Sequence, residues 1–195
     1  MILTLDAALG PCAVGLVQGD HAIERRLDAT RGNLARLPLL TAELLDGRAH
    51  ALEFIAVTIG PGSFTGIRAA LALAHGIALA AGCPVWGVTV GAALFEPTPG
   101  RSFWTAIGSR RDRVFLERDG LVQSLALEDM PPPDGPIALA GDAAGAILAR
   151  LQGHDVLLLP ARYPRPAGIA RAARHTPQPP QPLYVDPPEA RIPSS

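Results

Sequence analysis

Three observations predict an α/β fold of the ribonuclease-H-like type. The first 27 residues read as three strands, the last two joined by a Gly19-Asp20 turn. An unbroken apolar run, Phe54 to Ile59, then stops at a glycine, the pattern of a buried parallel strand. Helical stretches flank that run, so the order becomes β-β-β-α-β-α-β-α, a hairpin meander feeding parallel crossover units. This order is typical of the lobes of actin, hexokinase and Hsp70-like ATPases. A fold carries no function by itself.

Taken in order, Ile2 to Asp6 and Cys12 to Val17 are short apolar strands, and Gly19-Asp20 leads into His21 to Leu27. Leu34 to Leu45 places Leu34, Leu37, Leu40, Leu44 and Leu45 on a helical stripe, with Pro38 in its first turn. Gly66 to Ala81 is alanine-rich and helical, and Gly82 stands where a helix ends. Val85 to Val90 is a further strand, followed by a short helix near Gly91 to Phe95. Pro97 to Gly100 marks a boundary, giving a first lobe over 1–98.

Beyond the boundary, Phe103 to Ile107 and Val114 to Glu117 read as strands around an arginine-rich turn. Ile137 to Ala140, the helix Ala143 to Leu151 and Val156 to Leu159 repeat a β-α-β pattern. A second, reduced lobe is expected over 99–175. From Thr176 the last twenty residues hold seven prolines and are expected to be an extended tail, 176–195. No internal repeat is evident.

Composition removes several chemistries. The chain has 195 residues, is 48% hydrophobic and 18% charged, and carries a formal net charge of -1. That suits a globular protein and advertises no broad field for nucleic acid. Cys12 and Cys83 are too few for a disulfide framework, and Met1 to Gly10 lacks a basic signal-peptide start, so a cytoplasmic location is expected. The most apolar stretch, Ala69 to Ala81, reads as too short to span a bilayer. All 17 basic residues are arginine. Without lysine there is no P-loop ammonium and no Schiff-base amine, and a guanidinium replaces neither.

The densest signal is IGPGSFTGIR, Ile59 to Arg68. Gly60, Gly62 and Gly66 miss the dinucleotide fingerprint by one residue, and no serine lies in GxSxG. What is left is a strand, a glycine turn and a helix N-terminus offering Ser63, Thr65 and Arg68. That arrangement suits an anion, and equally a plain capped connection. Asp6 ends the first strand, where actin-like ATPases keep a carboxylate for metal and water; a turn-capping role fits it as well.

Five scattered histidines give no metal spacing, and none of the serines marks a triad, so no metal ligand or catalytic residue is assigned. His75 fits a core or interface histidine. Arg110, Arg111 and Arg113, near Phe115 and Trp104, resemble a small nucleic-acid patch, or a solvated hairpin turn. In the second helix Ala72, Gly76 and Ala80 recur every four residues and align on a face with almost no side chain. Such a face seats a neighbouring helix closely, either a partner's or this chain's own.

Four stretches carry a resemblance to a family: ILTLDAALGPCAVGL, LLTAELL, FIAVTIGPGSFTGIRAALALAHGIALAAGCPVWGV and PLYVDPPEA. They are similar to TsaB, the YeaZ-type proteins, over most of the N-terminal half with islands beyond. The resemblance implies two actin-like (ASKHA) lobes in a degenerate ATPase paralogue of TsaD. It implies a non-catalytic scaffold that pairs with TsaD through N-domain helices, with TsaE joining. The complex makes N6-threonylcarbamoyladenosine in tRNAs reading ANN codons. The expected interface is Leu37, Leu40, Leu44, Ala69, Ala72, Leu73, Gly76 and Ala80, which a homodimer would share. The nucleotide-proximal loop is Asp6, Gly60, Gly62, Ser63, Thr65, Gly66 and Arg68. No cofactor is expected on this chain alone, ATP or ADP only at the complex interface, tRNA contact only indirectly, and no membrane.

The chain departs from the family where Asp6-Ala7-Ala8 replaces Asp-Thr-Ser and Arg31-Gly32-Asn33 lacks a histidine. The second-lobe turn, Gly108 to Phe115, and Val185-Asp186 depart too, which puts second-lobe contacts in doubt. The rival reading is an enzyme in its own right, an actin-like phosphotransferase or ATPase or a glycoprotease-like protein. No second phosphate hairpin or adenosine glycine pair supports it.

Overall fold

A computed structural model describes residues 1–28, 32–110 and 112–185. The first sheet has the order β3-β2-β1-β4-β5, from β1 (Ile2–Asp6), β2 (Cys12–Gln18), β3 (His21–Leu27), β4 (Phe54–Gly60) and β5 (Val85–Thr89). β1, β2 and β3 pair antiparallel, and β4 and β5 join β1 in parallel, as the meander and the apolar run predict. Register sets Asp6 opposite Ala13, and Ala13 opposite Arg26, so all three lie in one row of the sheet.

The second sheet comprises β6 (Ser102–Gly108), β7 (Arg113–Arg118), β8 (Leu121–Ala126), β9 (Ile137–Ala140) and β10 (Val156–Leu158). Its order, β10-β9-β6-β7-β8, repeats the first sheet's topology strand for strand. The repeat shows in the topology and not in the residues, because two sheets need the same apolar pattern and not the same side chains. The molecule is thus two ribonuclease-H-like sheets with helices, an α/β fold. β8 is an element that the sequence reading does not contain.

α1 (Leu37–Leu45) and α2 (Phe64–Ala81) cover one face of the first sheet. α3 (Val90–Leu94) and α5 (Pro166–His175) cover the other, in a second apolar cluster around Ile2, Val17, Ala56, Val88 and Ile169. α4 (Ala144–Leu148) packs on the second sheet through Ala144 and Ile147. The sequence reading has no helix at 166–175 and assigns that stretch to the second lobe. In the structure it packs on the first sheet, so the chain returns to its first lobe after building the second.

After α5, residues 176–185 form no helix or strand beyond a bridge of Gln178 to Gly87. Leu183 N–H bonds the Ile59 carbonyl at 2.9 Å, so this strap crosses the ends of β4 and β5. The rest of the proline-rich tail, from Asp186, lies outside the described residues, as do Arg31 and Arg111.

α2 begins two residues before the predicted Gly66 and five before the apolar Ala69. At 18 residues it is long and apolar enough to cross a bilayer by length and composition, contrary to the sequence reading. Its inner residues Ile67, Ala70, Leu71, Ala74 and Ala78 are buried in the main core, the arrangement of a core helix.

Candidate functional site: the glycine turn and the α2 face

The glycine turn is built by close approach. A Cβ on Gly62 would run into the Ala8 carbonyl oxygen, and one on Gly66 into that of Ala7. Only glycine lets the β1–β2 connection lie on the start of α2 in this way. Gly60 and Gly62 also have positive φ, and the Gly60–Pro61 peptide is cis.

Two of the amides at the head of α2 are engaged within the chain. Ser63 N–H donates to the Ala8 carbonyl at 2.6 Å, and Gly66 N–H donates to the Ser63 hydroxyl oxygen at 3.2 Å. Ser63 is thus the N-cap, and the Ala7 and Ala8 carbonyl oxygens lie against Gly66 and Gly62. Of the two readings of this motif, the geometry favours the capped connection. Thr65 is exposed at the first turn.

Arg68 points outward. Its Nε donates to the Tyr184 hydroxyl at 3.1 Å, and its guanidinium lies 3.9 Å from the centre of the Phe64 ring. Phe64 and Tyr184 are 53% and 55% exposed. Neither aromatic was singled out in the sequence; the signal for Tyr184 lay in PLYV, 116 residues from Arg68.

Asp6 is 1% exposed. Its Oδ1 accepts the Thr58 hydroxyl at 2.7 Å and the Ala8 N–H at 3.1 Å, while Oδ2 has no partner. Burial pushes its pKa above the ordinary value, outweighing those hydrogen bonds. The carboxyl lies closed off beneath its own turn. Among the described residues no three His, Cys, Asp or Glu gather into a metal cluster.

The helix face divides the predicted interface residues. Ala72, Gly76 and Ala80 are exposed, Ala69 and Leu73 half-buried, and a Cβ on Gly76 would meet nothing within 4 Å. Leu79, 88% exposed, and His75 stand beside them. On α1 the structure corrects two assignments: Leu37 and Leu44 are buried in this chain's own core, and only Leu40 is half-exposed. A helical stripe shows which residues share a face; it does not show whether that face meets its own sheet or a stranger.

The arginine turn is the hairpin connection between β6 and β7. Trp104 is buried on the outer side of the second sheet with Arg118 stacked on it, Phe115 packs against the main core, and Arg113 is tied to Ser124.

The comparisons with known proteins agree with this architecture. Residues 29–116 match the family model of TsaD, tRNA N6-adenosine threonylcarbamoyltransferase. A protein of Mycobacterium tuberculosis described as uncharacterized is 32% identical over 205 residues, covering 97% of this chain and 93% of its own. A Pseudomonas aeruginosa structure, of a protein with similarity to peptidase YeaZ, has a TM-score of 0.76 at 24% identity, covering 95% of this chain and 99% of its own. A second, YeaZ from the same organism, has a TM-score of 0.74 at 24% identity, covering 94% and 98%.

Proposed function

The chain belongs to the TsaB (YeaZ) family, and from that membership we propose a non-catalytic subunit of a tRNA-modifying assembly. The family is tied to tRNA modification. In this reading the chain docks TsaD through α2 and is needed for N6-threonylcarbamoyladenosine in tRNAs reading ANN codons. TsaE joins the pair in the cytoplasm, and any ATP or ADP sits at the shared interface.

The carrying observation is the contrast between the two parts of the site. The phosphate side is closed, with Asp6 buried under Thr58 and Ala8, while the outer face of α2 is bare at Ala72, Gly76 and Ala80. Small side chains let a second helix approach with dense contact and little loss of rotamer freedom. Leu40, Ala69 and Leu73, half-buried at the edges, suit the rim of such a contact.

Co-purification with TsaD is the test. A 1:1 pair is expected, and Ala72→Trp and Gly76→Trp each abolish it while the isolated chain keeps its fold. Survival of the pair in both variants refutes the α2 interface. Robust ATP turnover by the purified chain, lost in Asp6→Asn, would instead establish the enzyme reading.

A further inference from the structure

The two lobes enclose a second feature, apart from the α2 face and independent of the proposed partner. A cavity of about 890 Å³ lies between them, inside the size range of small-molecule sites. Neither Asp6 nor the Gly108–Arg113 turn lines it; its second-lobe wall comes from the opposite end of β7, at Glu117 to Leu121. It is therefore not the former phosphate cleft.

Its lining combines three kinds of group. The apolar wall includes Phe95 and Phe103, edge to face at 5.1 Å between ring centres. The polar wall holds Thr105, which is fully buried, and its hydroxyl has no hydrogen-bond partner. Glu117, its cross-strand neighbour, bonds elsewhere: that carboxyl accepts the Thr89 hydroxyl and the Gly91 N–H. A buried hydroxyl without a partner is unusual and points to a group that the cavity receives.

The rim holds Arg171 and His175, and the acids of the lining are Asp119 and the already bonded Glu117. Arg171 is already held in place on the Phe95 carbonyl, whereas the Arg118 guanidinium lies over Trp104 on the other face of the sheet. We propose that this cavity binds a small organic anion: a flat apolar body against Phe95 and Phe103, an anionic group at Arg171 and a polar atom at Thr105.

The probe is 8-anilinonaphthalene-1-sulfonate, titrated into the full chain by fluorescence, with backbone amide shifts locating it. One saturable site is expected, with shifts at Thr105 and Leu183. Arg171→Gln weakens binding about tenfold, the loss of one charge-assisted contact. Thr105→Val, which removes the unpaired hydroxyl, weakens binding and raises the melting temperature of the unliganded protein, a divergence that general loosening would not produce. Ala92→Trp, filling the space from α3, abolishes binding. No saturable binding, shifts confined to α2, or wild-type affinity in Arg171→Gln each overturn the proposal, and the last does so even if Ala92→Trp fails to fold.

Discussion

Asp6 ends β1 beside Thr58, and only one of its two oxygens is satisfied. Burial is the largest influence on it and raises its pKa above the ordinary 3.8; Arg26 lowers it and Glu24 raises it, at longer range. The folded state therefore binds this proton more tightly than the unfolded chain does. Stability from the group is fully present below the unfolded value and is lost as pH climbs through the folded one. Asp6→Asn keeps the shape and removes the ionisation. Its stability relative to wild type should rise as pH climbs above the ordinary 3.8, and the difference should shrink toward acid. Urea unfolding across that range measures it, and a difference independent of pH refutes the account. The position of Asp6 at a strand end was legible in the sequence. Its seclusion was not, because Thr58 and Ala8 reach it only once β4 lies beside β1.

α2 carries glycines with opposite tolerances. Gly76 sits mid-helix, exposed, with nothing where a Cβ would go. Gly76→Ala should therefore stabilise the isolated chain by about 0.5–1 kcal/mol, by lowering the entropy of the unfolded state. Gly66 faces the Ala7 carbonyl, so Gly66→Ala drives a methyl into backbone and should cost about 1–3 kcal/mol, as overpacking does. Thermal denaturation of the two variants decides the matter; equal shifts would mean that the turn yields. The same element shows how far a pattern reads. Alanines, the C-cap Gly82 and the small-residue period all announced α2, which formed with Gly82 in the left-handed conformation. α5 went unread because Pro164, Pro166 and Gly168 look like breakers. In the fold Pro166 takes the first turn, and Gly168 lets the helix lie against the Ala93 carbonyl. β8 went unread because LVQSLA has no clean alternation; its residues are half-buried throughout after the exposed Leu121.

At the scale of the molecule, the two sheets are coupled by shared apolar core and by one specific polar contact, Glu117. From β7 it caps the first turn of α3 in the other lobe, accepting the Thr89 hydroxyl at 2.6 Å and the Gly91 N–H at 2.9 Å. Ile107 and Ala140 add apolar contact by joining the first lobe's core, and α5 brings the chain back onto the first sheet. Removing Glu117 leaves a buried amide unpaired and deletes the only side chain that bonds both Thr89 and Gly91 among the described residues. Glu117→Ala should destabilise by about 1–3 kcal/mol, the cost of an unmet buried donor. It should also loosen cooperativity, since each sheet has its own apolar cluster. The tryptophans report on separate lobes: Trp86 lies on β5 and Trp104 on β6. In wild type, fluorescence and calorimetry should give one transition with matching enthalpies. In Glu117→Ala the calorimetric enthalpy should exceed the van't Hoff value, and variants keeping only Trp86 or only Trp104 should melt at different temperatures. Coincident melts would mean that the apolar contacts alone bind the lobes into one folding unit, and that Glu117 serves only to cap α3.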